Sequence, residues 1–485
     1  MDLSLTDAHC QSCAEPFASV ALSKPLRRRL RESVERLARA PSRSLPDVFP
    51  AAGYKAFSRL VNNPRLHEAP LLDAVCDATR NACEHEALVL VIHDTTEVRF
   101  GGATRRKGLG RINTHDQGFL CHVSLAVSAQ GARRVFGPAA VHSWVRPDQH
   151  TRELSRPERN RRTETEQDRW DFGVRASAER LGDSVEQIHI TDREADEFEY
   201  LAHMRLEKRR LICRQRQPRN VRTLPESSLE DGTPFKSTDL VRQAPVTMTI
   251  TVPVQARLAR GQGKRDRTHP PRTARAAALN VHAQSMLVQR PKDADRALPT
   301  SIPINLVCVR ESNPPADQPA IEWLLWTTEP IESAAQLHQV VEWYARRWIV
   351  EEWFKGLKTG CKLEERQLES YAALQVYLAL VLPIATMLLN LRNAAEEEPE
   401  QPAETMVDAD TLAVLRSSDR TRLPTMPTAT AVLYAIAALG GHFRHNGAPG
   451  WLVLMRGMER LHERIDAYRC GLRDAKRRAT ENRGQ

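Results

Sequence analysis

The sequence predicts an α/β fold, a mixed sheet with flanking helices, together with helical segments at both ends of the chain. Two short apolar runs, 87–94 and 187–192, are rich in β-branched residues and are typical of buried central strands. Each run ends in an aspartate, Asp94 or Asp192. A later segment, 344–358, fits a helix with one apolar face and one charged face. Acidic side chains at the carboxyl edge of a sheet stand where α/β proteins place their chemistry.

Length and composition narrow the class of protein. A chain of 485 residues is too long for one core and predicts about three domains. The net charge of +9 and the pI near 9.2 favour a polyanionic partner, although basic proteins without one are common. The N-terminus has no secretory signal, so the nine cysteines indicate reduced thiols in the cytoplasm. The pair Cys10-x2-Cys13 leaves a zinc knuckle as an alternative.

One segment, 371–389, is nearly uncharged and close to the length that spans a membrane. It contains Gln375 and Pro383, and it directly follows the charged helix. We therefore expect a buried core helix that is kinked or broken at Pro383.

The helix expected at 344–358 carries the most informative spacing in the chain. On a helical wheel Tyr344, Arg347, Glu351 and Lys358 share an arc of about 60°. The opposite side is an apolar stripe of Trp343, Ile349, Val350, Trp353, Phe354 and Leu357. A solvated face with intrahelical ion pairs would explain Glu351 and Lys355, but not the alignment of the other members over four turns.

Three acidic residues, which we call the acidic trio, are candidate metal ligands: Asp94, Asp192 and Glu351. Two aspartates that end apolar strands, followed by a glutamate on a later helix, can hold two divalent metal ions. Hard oxygen ligands suit Mg²⁺ or Mn²⁺. This is the plan of a ribonuclease-H-like nuclease. For Asp94 a simple Asx-type turn at the end of the strand remains an alternative.

The spacing Tyr344-x2-Arg347-x3-Glu351-x6-Lys358, with WTTEPIES before it and KTG after it, resembles the Y-R-E-K motif of bacterial insertion-sequence transposases of the insertion-sequence-four group. The HDTT and DREAD sequences around the two aspartates resemble motifs of the same family. The resemblance implies a cut-and-paste transposase with a ribonuclease-H-like catalytic core, and two Mg²⁺ ions, replaceable by Mn²⁺, bound by the acidic trio. It also implies double-stranded DNA as partner (terminal inverted repeats and target DNA), a homodimer in the synaptic complex, and a location at the bacterial nucleoid.

The resemblance also implies contacts with DNA. The residues concerned are Tyr344, Arg347, Lys358, Lys355, Trp323, Arg214 and Arg216. Tyr344, Arg347 and Lys358 would hold phosphates, and Trp323 would fill the gap left by a flipped base. A core tryptophan is the alternative for Trp323, because strand alternation puts it on the same face as Leu325.

We expect five segments along the chain. A basic helix and the breaker at 62–64 mark the first, and a Glu- and Pro-rich linker beyond residue 392 marks the last. The segments are a helical transposon-end DNA-binding domain (1–75), the first part of the catalytic core (76–214), a β-rich insertion (215–318), the second part of the core with the Y-R-E-K helix (319–395), and a helical C-terminal dimerisation domain (396–485). Whether the basic loop 260–275 touches DNA stays open, and the apolar stripe at 451–465 also fits an intramolecular core.

Two other functions remain open at this point. The first is a ribonuclease-H-like nuclease that cleaves without strand transfer. The second is a DNA-binding protein without catalysis that inhibits transposition.

Overall fold

A computed structural model describes residues 7–49, 52–102, 104–146, 166–224, 234–254, 256–257, 271–316 and 318–481. Most of the basic loop 260–275 lies outside these ranges. In the described part of the chain, one mixed sheet of twelve strands forms the centre. The strands are β1 (Leu88–Phe100), β2 (Gly110–Arg111), β3 (Gln117–Ser128), β4 (Val135–Trp144), β5 (Glu186–Thr191), β6 (Arg210–Arg214), β7 (Asn220–Thr223), β8 (Phe235–Lys236), β9 (Val246–Val254), β10 (Arg275–Gln289), β11 (Ser301–Glu311) and β12 (Glu322–Thr327).

The first half of the sheet contains the parallel strands. β3 pairs antiparallel with β1 and with β4, so these three strands form an antiparallel meander. β5 then lies parallel to β1, and β6 lies parallel to β5. The apolar run at the start of β1 is buried on both faces, as expected for a central strand: Leu90 and Ile92 pack into one cluster, Val89 and Val91 into another.

The second half of the sheet is antiparallel. β12 joins β6 to β11, β11 pairs with β10, and β10 also pairs with β7 and β9. The strands expected in the β-rich insertion therefore extend the same sheet. In β12 the faces alternate as predicted: Trp323 and Leu325 face one core cluster, and Leu324 and Trp326 face another.

Helices cover the sheet and form both ends of the described chain. They are α1 (Asp7–Ala14), α2 (Lys24–Arg39), α3 (Leu45–Val48), α4 (Ala52–Val61), α5 (Glu68–Cys83), α6 (Asp168–Leu181), α7 (Phe198–Leu206), α8 (Ser237–Gln243), α9 (Ala334–Ala345), α10 (Trp348–Lys355), α11 (Tyr371–Glu397), α12 (Ala409–Arg416), α13 (Ala429–Leu439) and α14 (Trp451–Glu481). This mixed α/β architecture confirms the fold class at the level of a mixed sheet with flanking helices.

The apolar segment at 371–389 is a core helix, as predicted. Among the described residues, α11 is the one helix whose length and composition would suit a membrane crossing, and 83% of its most apolar window is buried inside the protein. The helix continues through Pro383, so the alternative of a break was wrong, whereas a kink at Pro383 stays a prediction. A proline removes one helical hydrogen bond, and burial on both sides of Pro383 retains the helix.

The N-terminal helices pack against α11. The Cys13 thiol lies 3.7 Å from the sulfur of Met387, and the Arg366 guanidinium donates to the carbonyls of Pro41 and Arg43. Cys10 and Cys13 are buried in this apolar core. Burial raises the pKa of the Cys13 thiol far above its usual range, so the thiol stays protonated and is a poor zinc ligand.

The C-terminal apolar stripe packs inside the chain. Its five predicted members are buried: Trp451, Leu454, Met458, Leu461 and Ile465. α13 and α14 cross closely at two glycines, where a Cβ on Gly440 would lie 2.0 Å from the carbonyl oxygen of Val453 and one on Gly457 would lie 1.9 Å from that of Ile436. The stripe is thus intramolecular core, and dimerisation stays a prediction.

The prediction of one continuous helix over 344–358 was wrong. α9 ends at Ala345, α10 begins at Trp348, and a π-helical turn follows at Gly356–Gly360. At the junction the amides of Ile349 and Val350 bond to carbonyls three residues back, which tightens the turn. The predicted apolar stripe is nevertheless buried in full.

Candidate active site

Asp94 and Asp192 occupy matching positions on neighbouring strands. β1 and β5 pair in parallel up to Ile92 and Ile190, and each aspartate lies two residues beyond that pair. Both therefore stand at the edge where the parallel pairing ends. The expectation that β1 ends at Asp94 was wrong, since β1 continues to Phe100 against its antiparallel partner β3.

Local hydrogen bonds orient the two aspartates. Asp94 Oδ1 accepts from the amide of Thr95 at 2.7 Å. Asp192 Oδ1 accepts from the amide of Glu194 at 2.8 Å, where it caps a 3₁₀ turn at Arg193–Ala195. The Asx-type bond considered for Asp94 is thus found at Asp192, and it coexists with a place in an acidic cluster.

Arg347 joins the third acidic residue to the first. Its Nη1 lies 3.3 Å from Asp94 Oδ2, and its Nη2 lies 2.6 Å from Glu351 Oε1. The three side chains are largely buried, with exposed fractions of 14% for Arg347, 16% for Asp94 and 32% for Glu351. The alternative of an intrahelical ion pair is therefore realised between Arg347 and Glu351, one turn apart, and the same guanidinium also reaches the sheet.

The site concentrates negative charge. The pKa of Asp94 rises to about 7, chiefly through burial; the charge of Arg347 lowers this pKa, and the charges of Asp192 and Glu351 raise it. Burial alone would lower the pKa of Arg347, but Tyr344, Asp94 and Glu351 together raise it. An additional cation beside this carboxyl group would stabilise its ionised form and lower its pKa.

Tyr344, Trp323 and Arg214 form a group beside the acidic residues. The rings of Trp323 and Tyr344 meet edge to face, with centroids 5.6 Å apart. The guanidinium of Arg214 interacts with the phenol, and burial raises the pKa of Tyr344. Trp323 is partly buried against the core, as the alternative of a core tryptophan predicts, and its place beside a flipped base stays a prediction.

Two of the predicted DNA contacts, Lys358 and Lys355, have neighbours within the protein, and a third is exposed. Lys358 donates to the carbonyl of Glu97 at 2.5 Å and lies 3.4 Å from Glu364. Lys355 pairs with Glu352 at 2.5 Å and lies over the ring of exposed Trp348. The third, Arg216, is exposed on the loop after β6.

The donor set fits hard cations, because the acidic trio offers carboxylate oxygens. Among the described residues, no group of three or more His, Cys, Asp or Glu side chains is arranged to hold a metal ion. The Arg347 guanidinium lies between two of the carboxylates and supplies positive charge there. The pKa of Asp94 stays raised beside this charge, chiefly because its carboxyl group is buried.

The sequence reasoning missed a polar layer on the opposite face of the sheet. Its members are His93, Thr95, His122, Ser124 and His189. They alternate with the apolar residues and the aspartate that face the other side, as the period of a strand requires. The sequence does indicate this layer, because polar residues alternate with apolar ones in QIHITD and follow the apolar run in HDTT.

A sheet with two aspartates at one edge, one of them joined through Arg347 to a glutamate on a helix, defines an α/β protein with a carboxylate-based site. The sequence profile of a family described as "Transposase DDE domain" matches residues 134–389, more than half of the chain. The chain therefore belongs to this family of transposases. The match includes Asp192 and Glu351, whereas Asp94 precedes it.

Proposed function

We propose that this transposase is a cut-and-paste enzyme of the insertion-sequence-four group, to which the transposase of transposon Tn-five belongs. It binds terminal inverted repeats, excises the element by two-metal phosphodiester hydrolysis and transesterification, and joins it to target DNA. The observation that carries this proposal is the matched position of Asp94 and Asp192, with Glu351 joined to Asp94 through Arg347.

The strand order supports a ribonuclease-H-like core. The order β4-β3-β1-β5-β6 combines an antiparallel meander with two following parallel strands. The trio stands at the carboxyl edge of the parallel strands, where α/β sheets carry chemistry. Strands β7–β11 then form the insertion between the second aspartate and the glutamate.

The trio would hold two divalent cations, Mg²⁺ or in its place Mn²⁺. Bound there, such ions activate the attacking oxygen and stabilise the leaving oxygen. The chain's own residues orient the DNA: Arg347 has a planar fork that can grip a phosphate with two bonds, whereas Lys358 offers a point charge. Arg347 is placed to exchange its carboxylate partners for a phosphate, because metal ions would neutralise the same carboxylates.

The aromatic pair beside the trio supports a pocket for a flipped base. Trp323 offers part of its ring to solvent next to Tyr344, and Arg214 adds positive charge. A ring that stacks in place of the flipped base recovers part of the free energy lost on unstacking, which is a few kcal/mol. Arg216 and Lys355, both exposed, would contact the backbone further away.

The ends of the chain complete the proposed assembly. In α2 the apolar side, with Leu30 and Leu37, is buried, and Arg28, Arg29 and Arg36 are exposed. Such arginines suit phosphates of the transposon end, within the proposed DNA-binding domain at 1–75. The segment 396–485 would pair two protomers in the synaptic complex.

The test compares cleavage with binding. Asp94→Asn, Asp192→Asn and Glu351→Gln should each slow cleavage of a transposon end in Mg²⁺ by more than about 100-fold, since loss of even an outer-shell partner costs about 10–100-fold. Gel-shift affinity for the end should remain, and Asp183→Asn, an exposed aspartate, serves as control. Near-normal cleavage by one trio variant would remove that residue from the site. Joining of a labelled 3′-hydroxyl end separates a transposase from a nuclease without strand transfer.

A further inference from the structure

Arg169 lies behind the candidate active site and connects its two aspartate-bearing turns. Arg169 lies in the first turn of α6, and its side chain is only 8% exposed. Nε donates to the hydroxyl of Thr95 at 2.9 Å, and Nη2 lies 2.5 Å from Glu194 Oε2. Because Arg169 is buried and charged, these partners are needed to compensate the lost hydration of the guanidinium.

Both partners of Arg169 are adjacent to members of the acidic trio. Thr95 follows Asp94 in β1, and its amide donates to that carboxylate. Glu194 lies two residues beyond Asp192, and its amide donates to the Asp192 side chain. One guanidinium thus spans the ends of the two neighbouring strands, at the level where their direct pairing has stopped.

The polar layer includes Thr95, one of the two partners of Arg169. The Thr95 hydroxyl also lies 2.9 Å from His122 Nδ1. Ser124 and His189 flank His93 at 3.0 Å each. Burial lowers the pKa of the His122 and His189 rings to about 3, so the layer is neutral near pH 7 and the Arg169–Glu194 pair carries its only formal charges among these described contacts.

A glycine brings α6 close enough for these contacts. A Cβ on Gly173 would lie 2.7 Å from His122 Nε2 and 3.0 Å from His93 Nδ1. The Gly173 carbonyl also accepts from the Ser124 hydroxyl at 3.1 Å. The helix that carries Arg169 is therefore held against the strands that carry the aspartates.

We propose that Arg169 is a positioning residue that sets the separation of Asp94 and Asp192 through Thr95 and Glu194, and thereby the affinity of the acidic trio for divalent cations. This inference rests on the proposed function, which assigns the cations to the trio. Arg169 acts from the opposite face of the sheet and touches neither cation nor DNA.

A purely structural ion pair makes a different prediction. In that case the loss of Arg169 or Glu194 lowers the melting temperature but leaves the metal affinity of the folded protein unchanged. A positioning role changes the metal affinity of protein that is still folded, because outer-shell partners of metal ligands typically contribute about 10–100-fold in affinity.

The experiment titrates Mn²⁺ into the full-length protein and follows free Mn²⁺ by electron paramagnetic resonance, at a temperature well below every melting point. Arg169→Gln and Glu194→Gln are expected to weaken Mn²⁺ binding about tenfold or more. Arg169→Lys should recover part of the affinity, since it keeps the charge and loses the planar fork. Thr95→Val keeps the branched shape and removes the oxygen that Arg169 binds, and it serves if Arg169→Gln does not fold.

The matched control is Arg275→Gln, which breaks another buried pair, with Glu311 in the antiparallel half of the sheet. It should lower the melting temperature without a change in Mn²⁺ affinity. Wild-type Mn²⁺ affinity in folded Arg169→Gln or Thr95→Val would overturn the inference. Asp94→Asn and Asp192→Asn distinguish failure of the Arg169 hypothesis from failure of the metal site. Unchanged Mn²⁺ binding in these variants would reject the proposed metal site itself.

Discussion

The two faces of the sheet around β1 differ in charge. On the face toward α9 and α10, Asp94, Glu351 and Arg347 carry formal charges and keep partial contact with solvent. On the face toward α6 the polar layer is neutral and its three histidines are at most 1% exposed. The ionisable groups of the first face can therefore be reached from solvent, whereas on the second face the five members of the polar layer are neutral and the formal charges are those of Arg169 and its exposed partner Glu194.

The difference has a physical origin in the cost of burying charge. Burial lowers the pKa of the layer histidines, which lose a proton and become neutral acceptors and donors. Burial raises the pKa of Asp94 in the same way, but solvent contact and Arg347 keep the shift limited. One strand thus carries a titratable face and a face whose protonation stays constant near neutral pH.

The largest effect on stability is expected at Asp94 and should depend on pH. The pKa of Asp94 is about 7 in the folded protein, and an aspartate in the unfolded chain has a pKa of about 3.9. Between these values the folded state binds the extra proton, so the free energy of unfolding falls as the pH rises, and the penalty is complete above pH 7 or so. Asp94→Asn removes it and should stabilise the metal-free protein by about 2–4 kcal/mol at pH 8.

Urea unfolding in EDTA at several pH values between about 4 and 8 measures this effect. The advantage of Asp94→Asn should vanish near the acid end of the series, and Asp183→Asn should match the wild type throughout. The other face gives the opposite pH dependence. His122 is neutral in the folded protein at both pH 6 and pH 8, but a histidine in the unfolded chain binds a proton below a pKa of about 6.5, so its contribution should make the wild type about 1 kcal/mol more stable at pH 8 than at pH 6. His122→Gln should lack this contribution. Equal stability of Asp94→Asn and wild type at pH 8 would contradict the account of the charged face.

The second prediction concerns the packing of the neutral face. Gly173→Ala would place a methyl group 2.7 Å from a ring nitrogen of His122. The buried rings have little freedom to move, so we expect a loss of about 1–3 kcal/mol in the free energy of unfolding. The sign of this change in the free energy of unfolding is informative, since replacing a helical glycine by alanine is otherwise favourable by about 1 kcal/mol.

Gly471→Ala in α14 is the matched control, because its added methyl group would meet nothing within 4 Å. Chemical unfolding of both variants should show the control as stable as the wild type or more so. A neutral or stabilising Gly173→Ala would mean that α6 lies farther from the polar layer than the contacts indicate.

The comparison of the faces also shows what the sequence could reveal. Side-chain alternation has a fixed period of two, so the apolar run before Asp94 and the opposite faces of Trp323 and Trp326 were predictable from local pattern. The strand end was not, because β1 continues past Asp94 on account of β3, a partner that the local run does not contain. Strand pairing between distant segments decides such boundaries.

The candidate site also has a part that was predictable from the sequence and a part that was not. The trio and Arg347 were predictable as residue types, since carboxylates at strand ends and on a helix have a chemical use. The role of Arg169 was not, because it depends on Gly173, on the polar layer and on Glu194 meeting in space. The single helix expected over 344–358 failed for a related reason: the wheel assumes constant pitch, and the turns at Arg346 and Gly356 change it.

The smallest effect on stability is expected at Lys358. Its ammonium group donates to the Glu97 carbonyl and pairs with Glu364, with 27% of the side chain exposed. A partly exposed ion pair of this kind contributes about 0–1 kcal/mol. Lys358→Ala should therefore leave the melting temperature nearly unchanged, and a large effect on cleavage would have to come from DNA and not from the fold.

Single-turnover cleavage of two substrates decides between these roles. Lys236→Ala is the control, since Lys236 is an exposed lysine outside the proposed site that contacts Asn220. On an ordinary transposon end, Lys358→Ala should cleave more slowly than wild type if the lysine exchanges the Glu97 carbonyl for a phosphate. On an end that lacks the flipped base no unstacking is required, so a defect in flipping should shrink there, whereas a defect in holding the scissile phosphate should persist. Wild-type rates on both substrates would show that Lys358 only holds the π-helical turn against β1. Lys358 would then be excluded from the DNA-binding residues of the charged face.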